Sequence, residues 1–290
     1  MVFLVATPQQ WLGRALLKIG NEQITWEQAV LWLKSQPDQD ALVKACFYDD
    51  PLLAAAERFH SGTEWKAVQR LIGVARGRAL DIGAGRGISS FALAKDGWNT
   101  VALEPDTSQV VGTGAIRRLA VEGDVHIDVV ETWGESLPFE SGSFDLVHAR
   151  QVLHHARDLT QFCREIGRVL KSGGMMIATR EHVISHRRDL NEFLKRHPLH
   201  ALYGGENAFL LKDYLDAIGT AGIKLSKVLN PLASDINLYP ETRDSVRTQM
   251  ARKLRLPSAA FVPDALLSLR GNLINDPGRL YTFFGYKHDI

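Results

Sequence analysis

Cysteine is scarce in this 290-residue chain: Cys46 and Cys163 are the only two, far apart and without metal-ligand spacing. That excludes a disulfide framework and a cysteine-based zinc module, and a reducing, cytoplasmic setting is the expectation. No apolar run is long enough to span a bilayer. Net charge is nearly absent as well, since 34 Lys and Arg against 33 Asp and Glu leave +1. Nothing global therefore draws the chain to nucleic acid or to a membrane surface. Arg187, Arg188, Lys195 and Arg196 form the densest basic group, which reads equally as a local patch and as a solvated helix face. Repeats and low-complexity tracts are missing. The start, Met1 to Ala6, is apolar, but no basic segment precedes it and Pro8 follows, so it does not read as a signal peptide.

What the chain does have is ordinary core material, 45% apolar and 23% charged residues, enough for one large domain or a domain with a cap. Residues 1–75 carry helical periodicity, as in Trp26, Ala29, Val30 and Leu33 behind a Thr25 N-cap with Gln28 three residues on. Leu52 to Phe59, opened by Pro51, and Trp65 to Val74 read as further helices. From about residue 76 strands and helices alternate. Strands are expected at 79–82, 100–104, 127–130, 144–148 and 175–179, with helices at 88–95, 109–120 and 159–170. The last of these is ended by Gly173 and Gly174. A helix at 210–221, a strand at 223–229 and a closing strand at 281–286 follow. The predicted fold is α/β, a Rossmann-like doubly wound sheet of about seven strands with an antiparallel edge. A helical N-terminal cap (1–75) and helical insertions at about 183–222 and 241–278 supply a lid over the domain at 76–290.

Ligands on such sheets bind at the carboxyl ends of the strands. There lies Leu80-Asp81-Ile82-Gly83-Ala84-Gly85-Arg86-Gly87. Glycine lets the backbone turn tightly and approach a ligand without a Cβ in the way. A dinucleotide loop, Gly-x-Gly-x-x-Gly, would need its third glycine where Ile88 stands. The glycines instead sit at 83, 85 and 87 behind Asp81, an acid that suits a ligand with an ammonium group better than a pyrophosphate. The amino acid end of S-adenosylmethionine (SAM) carries such a group. Glu104 stands where nucleotide-binding sheets place a ribose-binding acid, and Pro105 then turns the chain away.

These residues resemble the class I SAM-dependent methyltransferases, in the small-molecule group similar to the ubiquinone and menaquinone biosynthesis enzymes. Leu80 to Gly87 looks like the family's first motif and Glu104 like its ribose acid. Glu135-Ser136-Leu137-Pro138-Phe139, Ser143 to Val147, Val152-Leu153-His154-His155 and Arg164 to Gly174 follow in the family's order. The resemblance implies SAM as cofactor, with Asp81, Gly83, Gly85, Gly87, Glu104, Pro105, Trp133, Gly134 and Glu135 around it. Trp133 departs from the family, which often has an Asp there to meet the adenine amine. An indole can stack on adenine but cannot accept its hydrogen bond, so the polar contact falls to Glu135 or to backbone at Gly134. Ser172 replaces the usual proline. Arg150 either pairs with the SAM carboxylate or makes a surface ion pair. No Asn-Pro-Pro-Tyr follows the fourth strand, which argues against a nucleic-acid substrate.

Methyl transfer to a hydroxyl needs a general base as well as alignment. The catalytic candidates are His182 first and His155 second, with Glu181 beside them. Of His154 and His155, adjacent on an expected helix, only one can face the cleft. The segment from His197 to Asn207 is dense in polar groups. It reads either as an acceptor-binding loop using His197, His200, Tyr203, Glu206 and Asn207, with His154 opposite, or as a structural loop whose polar groups bond each other. No resident metal is expected. Glu181, His182 and His186 allow one, but their spacing matches no zinc helix motif. The reading is a SAM-dependent methyltransferase acting directly on a small-molecule acceptor. Its rivals are a SAM-binding regulator or assembly partner, and a methyltransferase of macromolecules.

Overall fold

The structure, a computed structural model, describes residues 24–197 and 199–288. The reading of Met1 to Ala6 lies outside them. Four helices come first: α1 (Trp26–Lys34), α2 (Asp40–Ala45), α3 (Leu52–Ser61) and α4 (Thr63–Ile72). The alternating part runs β1 (Arg78–Ile82), α5 (Ile88–Lys95), β2 (Asn99–Leu103), α6 (Thr113–Glu122), β3 (Ile127–Val130), β4 (Phe144–Arg150), α7 (Leu159–Val169) and β5 (Leu170–Ile184). Then come α8 (Leu190–Arg196), α9 (His200–Tyr203), β6 (Phe209–Leu210), α10 (Leu211–Thr220), β7 (Ile223–Leu229), α11 (Arg243–Lys253), α12 (Asp264–Asn272) and β8 (Arg279–Lys287).

Among the described residues the strands form one sheet in the order β3-β2-β1-β4-β5-β8-β7, with the short β6 beside β5. Strands β1 to β5 pair in parallel, and β8 runs antiparallel to both β5 and β7. This is the doubly wound sheet with an antiparallel edge region that the alternation implied. Each inner strand is apolar on both faces because helices cover both. Leu80, Val147, Met176 and Phe283 face the layer of α7 and α10, where Phe162, Ile166 and Tyr214 lie. Ala79, Leu146, Ile177 and Phe284 face Phe59, Trp65 and Phe91 of α3, α4 and α5.

The N-terminal helices thus divide. Helices α3 and α4 are built into the sheet's own core. Helix α1 instead meets the insertion after β5, where Ala29 and Leu33 pack with Val43, Leu199 and Leu202. Ile24 N–H donates to Leu202 O, and the Trp26 and Tyr203 rings lie 4.5 Å apart.

Local differences from the expected elements have physical causes. Helix α6 begins at Thr113 rather than near Gln109, because Asp106 and Ser108 take up the intervening N–H groups in side-chain turns. Helix α7 ends at Val169, before the glycine pair, and β5 starts directly at Leu170. The segment after β4 is a single 3-10 turn, Leu153–His155, not an α-helix.

Candidate active site

One cavity of about 390 Å³ opens at the carboxyl ends of β1, β2, β4 and β5. Its first half is built on the glycine loop. Gly83, Gly85 and Gly87 have φ of +63°, +54° and +85°, the left-handed region that side chains resist. A Cβ on Gly83 would lie 2.6 Å from the Val152 side chain, so the turn is fixed by close approach as well. At Gly85 nothing comes nearer than 4.0 Å, and that side of the backbone faces the cavity. Gly87 does not line the cavity. It caps α5 and packs its bare Cα against Ile116.

Glu104 follows β2 and presents its carboxylate to the same space. One oxygen accepts from Gly85 N–H (2.8 Å) and the other from Asp106 N–H (2.9 Å). A carboxylate so held keeps further lone pairs for a diol. Burial pushes its pKa up to about 7 against these two backbone hydrogen bonds. Pro105, Trp133, Gly134 and Glu135 also line the cavity. Trp133 is 62% exposed, with the Arg157 guanidinium over one face of its ring at 5.3 Å. Gly134 is required by packing, since a Cβ there would lie 2.2 Å from the Phe162 ring. The Glu135 carboxylate accepts from Arg157 N–H. An open glycine backbone beside a carboxylate with spare lone pairs fits a ribosyl cofactor such as SAM.

Two of the expected cofactor residues line the cavity with their side chains already partnered. Asp81 is buried beneath the loop, with one oxygen accepting from Ser90 Oγ (2.6 Å) and the other paired with His148 Nδ1 (2.7 Å). Asp81 also lines the cavity, so a carboxylate fixed by these two partners stands at its cofactor half. Arg150 also lines the cavity, and its ion pair is buried rather than on the surface. It forms a buried bidentate pair with Glu64 of α4 (2.7 and 3.1 Å) and lies over the Phe47 and Phe59 rings.

The second half of the cavity gathers histidines. The pairing of β5 with β8 shifts between Ala178 and Glu181, with Arg180 at φ +60°. Such a bulge re-aims the side chains that follow it. Glu181 is thereby turned into the core, where it accepts from the N–H groups of Val152, Leu153 and His154 and pairs with His154 Nδ1 at 2.8 Å. It does not line the cavity, so the catalytic carboxylate expected there is a positioning one. His182 does line it, with Nδ1 2.8 Å from Gly278 O. Both His154 and His155 face the cavity, their ring centroids 4.1 Å apart. The rule that one of two helical neighbours must turn away fails because the segment is a single 3-10 turn. His197, Tyr203 and Glu206 complete the group. His200 and Asn207 lie off the cavity, since α9 and the chain after Glu206 turn them elsewhere, and His186 caps the exposed turn at Arg187–Asp189.

Glu206 is the centre of this half. Tyr203 hydroxyl donates to its Oε1. His154 Nε2 and His155 Nε2 lie 3.6 and 4.0 Å from Oε2, and His197 Nδ1 lies 3.7 Å from Oε1. Burial and the surrounding imidazoles act oppositely on its acid strength, and the imidazoles win, holding it ionised. Burial alone would lower His154, but the Glu181 and Glu206 carboxylates hold it up at about 9. Burial dominates at the other rings. It lowers His155, brings His197 to about 4 and drives His182 well below the usual imidazole range, with the His154 charge adding to the drop. These three are neutral acceptors at neutral pH.

Sequence reasoning missed the far wall: Trp26, Cys46, Phe47, Tyr48 and Arg86 line the cavity, and Glu64 holds Arg150. The aromatic density of residues 26–65 was the available signal. Nothing in spacing marks Glu64 as buried.

A protein-family model described as a methyltransferase domain matches residues 80–178. The chain is 27% identical over 201 residues to a ubiquinone biosynthesis O-methyltransferase of Azorhizobium caulinodans, covering 63% of this chain and 73% of that one. With a demethylmenaquinone methyltransferase of Clavibacter sepedonicus it shares 38% identity over 104 residues, 36% of this chain and 41% of that relative's length. Among solved structures, the YcgJ protein of Bacillus subtilis superposes with a TM-score of 0.52 at 20% identity, over 79% of this chain and 99% of that one. A geranyl diphosphate C-methyltransferase of Streptomyces coelicolor does so with 0.56 at 14%, over 82% and 85%. The two structures speak for the fold, and the matched domain for the cofactor. Residues 80–178 thus match a methyltransferase domain, on a fold shared with SAM-dependent methyltransferases.

Proposed function

We propose that the protein transfers a methyl group from SAM to a hydroxyl oxygen of a small molecule. The observation that carries this is the single cavity that joins the glycine loop and Glu104 to the imidazoles around Glu206. When bound, SAM supplies an electrophilic methyl on a sulfonium. Glu104 and the open backbone at Gly85 hold its ribose. A hydroxyl acceptor must also lose its proton, which needs a base that is neutral at working pH. His182 is such a base. Gly278 O fixes Nδ1 as the protonated nitrogen, which leaves the Nε2 lone pair to accept. His155 is arranged in the same way against Gly205 O. Tyr203 and Glu206 orient the acceptor, and Glu181 sets the turn that carries both His154 and His155. The names of the relatives, which act in quinone biosynthesis, favour a small aromatic acceptor over a macromolecule, as does the near-neutral charge.

An untargeted metabolite screen with isotopically labelled SAM tests this without a prior guess at the acceptor. The expected result is label in a small hydroxylated compound. His182→Ala should lower kcat by roughly 100-fold or more while SAM affinity stays unchanged. Label found only in protein or RNA would contradict the reading, and full turnover in the variant would contradict the assignment of the base.

A further inference from the structure

The donors and acceptors around Glu206 do not balance. His154 gives Nδ1 to the Glu181 carboxylate, His155 to Gly205 O and His182 to Gly278 O. Each ring is thus clamped by one nitrogen and turns Nε2 into the remaining space; in the neutral rings of His155 and His182 that nitrogen carries the lone pair, whereas His154 keeps its proton between two carboxylates. Carboxylate or backbone carbonyl partners of this kind are what orient metal-ligating histidines. Glu206 has a side chain only 5% exposed. Among the described residues its Oε2 has no hydrogen-bond partner, and neither has the buried His197 Nδ1 that faces Oε1. The separations of 3.6, 3.7 and 4.0 Å between these nitrogens and the carboxylate are too long for hydrogen bonds. A tetrahedral ion with bonds of about 2.0–2.1 Å sets its ligand atoms about 3.3 Å apart, so the group would close on a cation by drawing in from its present separations. One ligand atom each from His154, His155 and Glu206 lie within 4.8 Å of one another, as do those from His182, His197 and Glu206.

We propose that the second of these trios is the site of one divalent transition-metal ion, held by Glu206, His182 and His197 with a fourth position left open. Imidazole with a single carboxylate selects zinc, cobalt, nickel or iron(II) over magnesium or calcium, which want oxygen. The site deepens the proposed function and rests on it: an ion here, beside the cofactor half of the same cavity, holds the acceptor hydroxyl and lowers its pKa. His182 is then a ligand in the loaded protein, and His155, whose Nε2 stays free, is the imidazole left to take the hydroxyl proton.

The full chain, stripped with a chelator, is titrated with Co²⁺ alone and followed by ligand-field absorption, and with Zn²⁺ alone by calorimetry. SAM affinity is measured on every sample. The expected result is one equivalent of metal bound and imidazole nitrogen in the X-ray absorption spectrum. Affinity should fall on the order of 100-fold or more in Glu206→Gln and in the His182→Ala/His197→Ala pair, with SAM affinity kept. Should Glu206→Gln lose SAM binding through misfolding, His197→Ala, which leaves the Tyr203 to Glu206 bond intact, carries the test. No saturable metal binding, or equal binding in native and variant chains, overturns the proposal and leaves a proton on His154 as the charge that balances Glu206. Loss of SAM binding by the native chain would instead overturn the methyltransferase reading itself.

Discussion

Glu104 shows how much one side chain can control. Its carboxylate sits between two backbone donors and near the charges of Asp106 and Asp81, and burial raises its pKa to about 7. On the proposed binding mode the ionised form accepts from both ribose hydroxyls, whereas the protonated form has one oxygen occupied by its proton. SAM binding therefore favours ionisation and is strongest above pH 7. As pH falls below that value, affinity should decline by up to about tenfold per unit. Calorimetric titrations between acid and mildly alkaline pH will show this slope, and a flat profile would mean that the ribose is held elsewhere. Glu181 offers a second test. Itself fully buried, it satisfies three backbone N–H groups and a histidine of the turn after β4. Replacing one oxygen by a donor, Glu181→Gln, leaves at least one of these groups unpaired, at a cost of about 1–3 kcal/mol. Urea denaturation should register that loss, and an unchanged midpoint would contradict the role of Glu181 as the anchor of the turn.

At the scale of elements, the sheet and its glycine loop were legible because their signals are local. Apolar runs between turns define β1, β2 and β4, and the positive-φ glycines mark the loop at the residues where the chain must turn. The histidine half was legible only in part. His182, His197 and Glu206 lie on β5 and on the chain after α8, and only the folded insertion brings them to His154. The Arg180 bulge, which exchanges the directions of Glu181 and His182, has no spacing rule behind it. The wall from the N-terminal helices was least legible, since Glu64 looks like any exposed helical acid. The buried pair it makes with Arg150 ties α4 to the end of β4. Removing one partner strands the other charge, so Glu64→Ala should cost about 3–5 kcal/mol. The apolar double change Glu64→Leu/Arg150→Met should recover most of that. Thermal unfolding of the three chains separates a structural tie from a ligand contact: if Glu64→Ala leaves stability intact, Arg150 is not held as the structure shows.

For the molecule as a whole, the arrangement is a rigid sheet carrying the cofactor half and a roof carrying much of the acceptor half. Helix α1 and the 199–203 segment pack on each other, and Trp26, Leu199 and Tyr203 among them line the cavity. The matched domain covers β1 to much of β5, while His182, His197, Tyr203, Glu206 and the N-terminal wall of the cavity lie outside it. The claim on which the rest depends is that SAM is held by the glycine loop and Glu104. Calorimetric titration of SAM into the native chain and into Glu104→Ala above pH 7 tests it most directly. The account predicts one site in the native chain and affinity weakened roughly 100-fold in the variant, the loss of two hydrogen bonds to a charged acceptor. Native-like affinity in Glu104→Ala, or no binding by either chain, would contradict it.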